Sequence, residues 1–152
     1  MNGFELVDFS VHAEDLGRLE VPLQGATDRV TLVLPEGAVV NLGLTFRLGQ
    51  DIDGLTFEET RVREGAEVSS TRTALGGYRT GGPYEVRLPA ERLPVGHAHR
   101  GVYAVTSRFT DGDGHELATV HHRMRLVHPT PPAAAPQAAA TARAADPAGP
   151  DG

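Results

Sequence analysis

The sequence predicts an all-β protein built as an antiparallel sandwich or barrel. Three observations carry that expectation. Apolar residues recur with a period of two over several short segments. Clusters of glycine, proline and aspartate separate those segments at short intervals. No segment carries an apolar stripe of helical period.

Taken in chain order, the first alternation is Leu19, Val21 and Leu23, and the second is Val30, Leu32 and Leu34. The turn signal PEG follows at 35–37. The longest alternation comes next, through Val40, Leu42, Leu44, Phe46 and Leu48. DIDG at 51–54, REG at 63–65, and LGG with TGGP across 75–83 read as turns. Tyr84, Val86 and Leu88 form another strand pattern. The stretch PAERLPVGHAHRG, 89–101, is the longest irregular loop, with room for a short helical turn. Tyr103, Val105 and Phe109, with Ser107 between, form the strand that leads into DGDG at 111–114. After His128 the composition changes. PTPPAAAPQAAATARAADPAGPDG holds six of the 11 prolines and no apolar side chain larger than alanine. Such a segment cannot bury enough surface to offset the entropy of ordering. The expected organisation is therefore one domain over 1–128 and a disordered tail over 129–152.

Composition excludes several classes. The chain has 152 residues and no cysteine, so it has neither a disulfide framework nor a thiolate site. Its start, MNGFELVDFS, lacks the basic and apolar blocks of a signal peptide, and no window approaches a membrane span. A soluble, cytoplasmic protein without stable membrane insertion is expected. The formal charge is −6, and all 14 basic residues are arginine. That balance disfavours nucleic acid, which requires a basic patch, and permits a basic protein partner.

The sites that could carry chemistry read blandly. In DGDG, the position that would close a calcium loop is His122, so a hairpin turn fits better than a metal loop. His97 and His99 fall in the irregular loop. His121 and His122 point to opposite faces of one strand. Neither pair has a second ligand set at recognisable spacing, so no metal and no cofactor are expected. Glu58–Glu59 and Glu64/Glu67 read as a solvated acidic face. No nucleophile elbow, phosphate loop or dinucleotide fingerprint is present, and no catalytic residue is assigned.

Four segments resemble one known family. GVYAVTSRFTDGDG is similar to the penultimate strand and turn of the Rho GDP-dissociation inhibitors, G-S-Y-x-[IV]-K-S-R-F-T-D-D-D. Gly101, Tyr103, Ser107, Arg108, Phe109, Thr110, Asp111 and Asp113 match it. LVLPEGAVVNLGLTFRL resembles the family's F-V-L-K-E-G-x-x-Y-x-[IL]-x-[IL]-x-F-x-V. PYEVRLPAERLPVGHAHRGVY resembles its E-Y-E-F-x-x-P-x-E-x-A-P-x-G-x-x-A-R-G-x-Y, and LGRLEVPLQG its P-L-E-L-D-L-T-G. The resemblance runs over about 5–128, with one gap near 49–54. It implies an immunoglobulin-like sandwich that takes a prenyl group between its sheets and binds a small GTPase. From the motif search, independently of the resemblance, a non-enzymatic protein is expected.

The resemblance places the lipid pocket at Leu32, Val40, Ile52, Val105, Val120 and His122, and a partner contact at Asp113. At four of these positions the family's aromatics are replaced: Leu32 for Phe, Val40 for Tyr, Val120 and His122 for Trp. Ile52 and Val105 keep aliphatic character. Lost aromatic bulk either enlarges the cavity or lets the core close. An inward-facing His122 costs energy unless it is hydrogen-bonded. The chain begins at the sandwich, so the family's N-terminal arm, which binds the GTPase switch regions, is expected to be missing. The expected partner is a small GTPase or another prenylated or lipidated protein. The alternative is an interaction sandwich with a closed core that meets partners through a strand edge or the 89–101 loop.

Overall fold

The computed structural model describes residues 3–23 and 31–129. Val30 and the expected tail beyond Pro129 lie outside the described residues. Two sheets pack face to face. One contains β1 (Phe4–Ala13), β2 (Gly17–Glu20), β4 (Val39–Leu48), β7 (Gly81–Arg87) and β8 (Glu91–Arg92). Its order is β2-β1-β4-β7, with β8 also paired to β4. The other contains β3 (Thr31–Pro35), β5 (Ile52–Arg63), β6 (Ala66–Tyr78), β9 (Gly101–Thr110) and β10 (Glu116–Val127), in the order β3-β10-β9-β5-β6.

Alternation explains which face is buried. Phe9, Val11 and Ala13 of β1 and Leu44, Phe46 and Leu48 of β4 turn inward from one sheet, and Tyr103, Val105 and Phe109 of β9 turn inward from the other. All five phenylalanines join one aromatic network. Phe4 lies 5.4 Å from both Phe46 and Phe109, Phe57 lies 5.2 Å from Phe109, and Phe9 lies 6.4 Å from Phe57. Tyr78 and Tyr84 extend it from Phe46. This fills one end of the sandwich. The other end is lined by smaller aliphatics, including Leu32, Leu34, Val40, Leu93 and Val105.

Four expectations need correction. The sandwich is not wholly antiparallel, because β3 runs parallel to β10, with Thr31 opposite Arg123. The two strands are joined by no hairpin, so nothing fixes them antiparallel. The alternation at Leu19–Leu23 is only half strand, since β2 ends at Glu20. LGG is not a turn: Leu75, Gly76 and Gly77 lie within β6, where the register with β5 shifts and opens a bulge. DIDG begins a strand, for β5 starts at Ile52.

The REG turn stands. Glu64 and Gly65 have φ of 52° and 78°, the left-handed pair that closes a two-residue hairpin between β5 and β6. The 89–101 loop carries its short helical turn at His97–His99. Glu36, buried in the PEG turn, pins that loop: Arg100 Nε donates to its carboxylate at 2.5 Å and the Gly96 N–H at 3.2 Å. The Leu93 N–H donates to the Ala38 carbonyl at 2.8 Å. The loop is thereby held across one end of the sandwich.

Candidate functional site

A cavity of about 350 Å³ opens between the sheets at the aliphatic end. Its floor and walls include Val11, Leu32, Val40, Phe57, Val105 and Met124. The pinned loop supplies Leu88 and Leu93 as a buried wall and exposed Pro89, Ala90 and Glu91 at the rim. The volume falls within the range of small-molecule pockets, about 300–1,000 Å³. Apart from Phe57, the core side chains on its wall are aliphatic, and the rest of the phenylalanine network packs away from it.

The structure gathers four of the six residues expected to line a lipid pocket. Leu32, Val40, Val105 and His122 all face the cavity. Ile52 and Val120 are buried, 3% and 7% exposed, but do not line it. Ile52 pairs with Tyr78 beside the aromatic network, and Val120 lies opposite Ser107, one row from His122. Asp113 is exposed at the tip of the β9–β10 hairpin.

The DGDG segment is a turn. The Asp111 carboxylate accepts the backbone N–H groups of Asp113 and His115, both at 2.9 Å. The His115 N–H, together with the His115 ring and the Asp113 N–H, holds the Asp111 carboxyl below its ordinary range. The side chains of Asp111, Asp113 and His115 gather within 4.8 Å, on an exposed turn whose own hydrogen bonds account for the arrangement.

One expectation about charge fails. Glu59 was expected on a solvated acidic face; it is buried. It pairs with Arg61 at 2.9 Å, and Arg61 reaches across to β8, where both its terminal nitrogens donate to Glu91 at 2.7 and 2.8 Å. Glu59, Arg61 and Glu91 form a polar wall on the cavity and link the two sheets at its rim. Burial raises the Glu59 carboxyl above its usual value, against the lowering effect of Arg61. The sequence held a signal for this: Glu59 and Arg61 continue the alternation of Leu55 and Phe57.

His121 and His122 do face opposite sides of β10, exposed and buried respectively. His122 is only 5% exposed. Its ring packs edge-on against Phe9 at 6.1 Å. Burial first, and then the Arg61 charge, push its pKa down to about 4, so the imidazole is neutral at pH 7.

Residues 5–128 match the family described as RHO protein GDP dissociation inhibitor. The human Rho GDP-dissociation inhibitor 1 is 33% identical over 105 residues, covering 64% of this chain and 50% of that protein. The Rho GDP-dissociation inhibitor of Schizosaccharomyces pombe is 32% identical over 91 residues, covering 59% and 42%. The chain thus spans about half the length of the curated relatives it matches. Among solved structures, the C-terminal domain of wzt superposes with a TM-score of 0.62 over 86% of this chain and 77% of that one. At 10% identity that likeness concerns the fold alone. Among the described residues, no helix is long and apolar enough to cross a membrane.

Proposed function

The chain belongs to the family of RHO protein GDP dissociation inhibitors, and from that premise we propose that it is a non-enzymatic, cytoplasmic module that takes a prenyl or other lipid group between its sheets. In this reading a small GTPase, or another lipidated protein, delivers the group. The observation that carries the reading is the inter-sheet cavity of about 350 Å³, with Leu32, Val40 and Val105 on its walls. A cavity of about 150 Å³ holds benzene, so this one suits an apolar chain of farnesyl scale. Each CH₂ transferred from water contributes about 0.8 kcal/mol, which lets a pocket of this size compete with a membrane for a single chain. Asp113, at the exposed hairpin tip, is the proposed contact for the protein that carries the lipid. Ile52 and Val120, buried but off the cavity lining, make no direct contact with the lipid in this reading.

The test is a fluorescence titration of the protein with a dansyl-labelled farnesyl-cysteine methyl ester. Saturable binding, displaced by unlabelled geranylgeranyl-cysteine and lost in Val40→Trp, is expected. No saturable binding by protein that is folded by circular dichroism overturns the reading. The sandwich would then serve protein contacts alone.

A further inference from the structure

A second hollow, of about 460 Å³, begins where the polar wall of the first cavity stands, and Arg61, Glu91 and Met124 line both. The two follow one another along the slot between the sheets. On β5 the first cavity takes Phe57, Glu59 and Arg61, and the second takes Arg61 and Arg63. On β9, Val105 lines the first and lies opposite Arg61; Tyr103 lines the second, its ring 5.4 Å from the Arg63 guanidinium. β6 steps the same way, from Thr73 and Thr71 in the first to Ser69, opposite Arg61, in the second. The pinned loop does so too, passing from Leu88 through Glu91 to Pro94. On each of these elements the change from one cavity to the other falls beside Arg61 or Glu91.

Arg61 crosses the slot at that row. It stands on β5 of one sheet, and both its terminal nitrogens donate to Glu91 on β8 of the other, at 2.7 and 2.8 Å. Glu59 holds it from its own strand at 2.9 Å. The Arg61 side chain is 12% exposed, so it lies in the passage and not on the surface, while Glu91, 47% exposed, anchors it at the rim. We infer that the Arg61–Glu91 pair is a cross-bar that sets the length of the chain the protein accepts. It admits a farnesyl-sized group and stops a geranylgeranyl group, one isoprene unit longer. The inference rests on the lipid reading proposed above and narrows its ligand class. A cavity of about 150 Å³ holds benzene, and at that density one of about 350 Å³ holds about 14 carbons. The surplus carbons of the longer chain must stay in water or pass Arg61. Passing means parting a guanidinium from a carboxylate and setting hydrocarbon against both charges. Beyond the bar, Val68, Pro94, Ala98 and Tyr103 give the second cavity an apolar wall, where the last isoprene unit could lie once the bar is gone.

The test is competition of S-farnesyl- and S-geranylgeranyl-cysteine methyl esters against the dansyl probe. It is run on the wild type, on Glu91→Ala, and on Arg61→Ala combined with Glu59→Gln, which removes the bar without stranding a buried carboxylate. In an open apolar slot each added CH₂ tightens binding about fourfold, so the longer ester would win by about a hundredfold or more. The expected wild-type result is that the longer ester displaces the probe, but no more tightly than the shorter one. In both variants the ratio of the two affinities should swing towards the longer ester by about tenfold or more. A wild-type preference for the longer ester overturns the inference and leaves the lipid reading standing, and so does a ratio that either folded variant leaves unchanged. Failure of the probe to bind folded wild-type protein overturns the two together. The wild-type ratio and the rim variant Glu91→Ala decide the matter even if the paired variant does not fold.

Discussion

His122 is where the chain departs most from an oily pocket, and its protonation can be followed. In the fold its pKa is about 4; in the unfolded chain it returns to its ordinary 6.5. Between these values the unfolded state binds the extra proton, so stability falls as pH drops from about 6.5 towards 4. The loss amounts to about 2 kcal/mol between pH 7 and pH 5. Glu59 acts in the opposite sense, because its raised pKa favours the fold as the carboxyl protonates. Both proteins in a comparison with His122→Phe carry Glu59, so urea unfolding at the two pH values isolates the histidine. The variant should lose less stability on acidification than the wild type; equal losses would refute the assignment. Arg61 offers a second residue-scale check. Removing it as Arg61→Met strands Glu59 as a buried, unpaired carboxylate and should cost about 3 kcal/mol at pH 7. Adding Glu59→Gln should restore part of that loss in a double-mutant cycle. The buried character of Glu59 is not legible from residue type, since paired glutamates are usually solvated. It is legible from phase, because Glu59 and Arg61 stand in step with Leu55 and Phe57.

At the scale of elements, strands with one wet face could be read from the sequence and the others could not. β4 and β9 alternate cleanly because one face is core and the other is not. β1 hides its pattern. A register shift between Leu6 and Asp8 changes the phase, so Phe4 and Leu6 fall out of step with Phe9, Val11 and Ala13. β6 is an edge strand exposed along most of its length, and no burial imposes a period on it. Its glycines therefore read as a turn. The turn at Glu64–Gly65 invites a stabilising change. Glutamate at φ 52° is strained where asparagine is tolerated, so Glu64→Asn should raise stability by about 0.5 kcal/mol in thermal unfolding. The DGDG turn shows the opposite constraint. Its Gly112 N–H donates to the Asp53 carbonyl at 2.9 Å, and a Cβ on Gly54 would meet Gly112 Cα at 2.7 Å. Gly54→Ala should lose about 2 kcal/mol or more, from strain at φ +66° and from displacement of the hairpin. A neutral result would mean that the two turns are not docked.

Across the whole molecule, the division between an aromatic end and an aliphatic end decides what the sandwich can hold. The resemblance read from the sequence located Leu32, Val40, Val105 and His122 on the cavity. Ile52 and Val120, which it assigned with them, do not line the cavity, because matched positions carry no depth along a strand. The Arg61–Glu91 link across the two sheets was invisible, since it joins strands that the sequence does not place side by side. A ligand seated in the cavity touches both sheets, so binding should stabilise the domain as a unit. At a ligand concentration about 100-fold above Kd the gain is about 2.7 kcal/mol. Differential scanning fluorimetry with the farnesyl-cysteine ester should show a rise in Tm of several degrees for the wild type and none for Val40→Trp.

The parallel pairing of β3 with β10 has a consequence in time. β10 also pairs with β9, so it lies between an early strand and a late one. During synthesis β3 leaves the ribosome with no neighbour in its own sheet. It waits until Arg123 and the residues after it have been made before Thr31 finds its partner. Closing so long a loop is slow, and the apolar side chains of β3 stay uncovered meanwhile. The nascent chain should therefore remain protease-sensitive until β10 has cleared the exit tunnel, then become protected in a single late step.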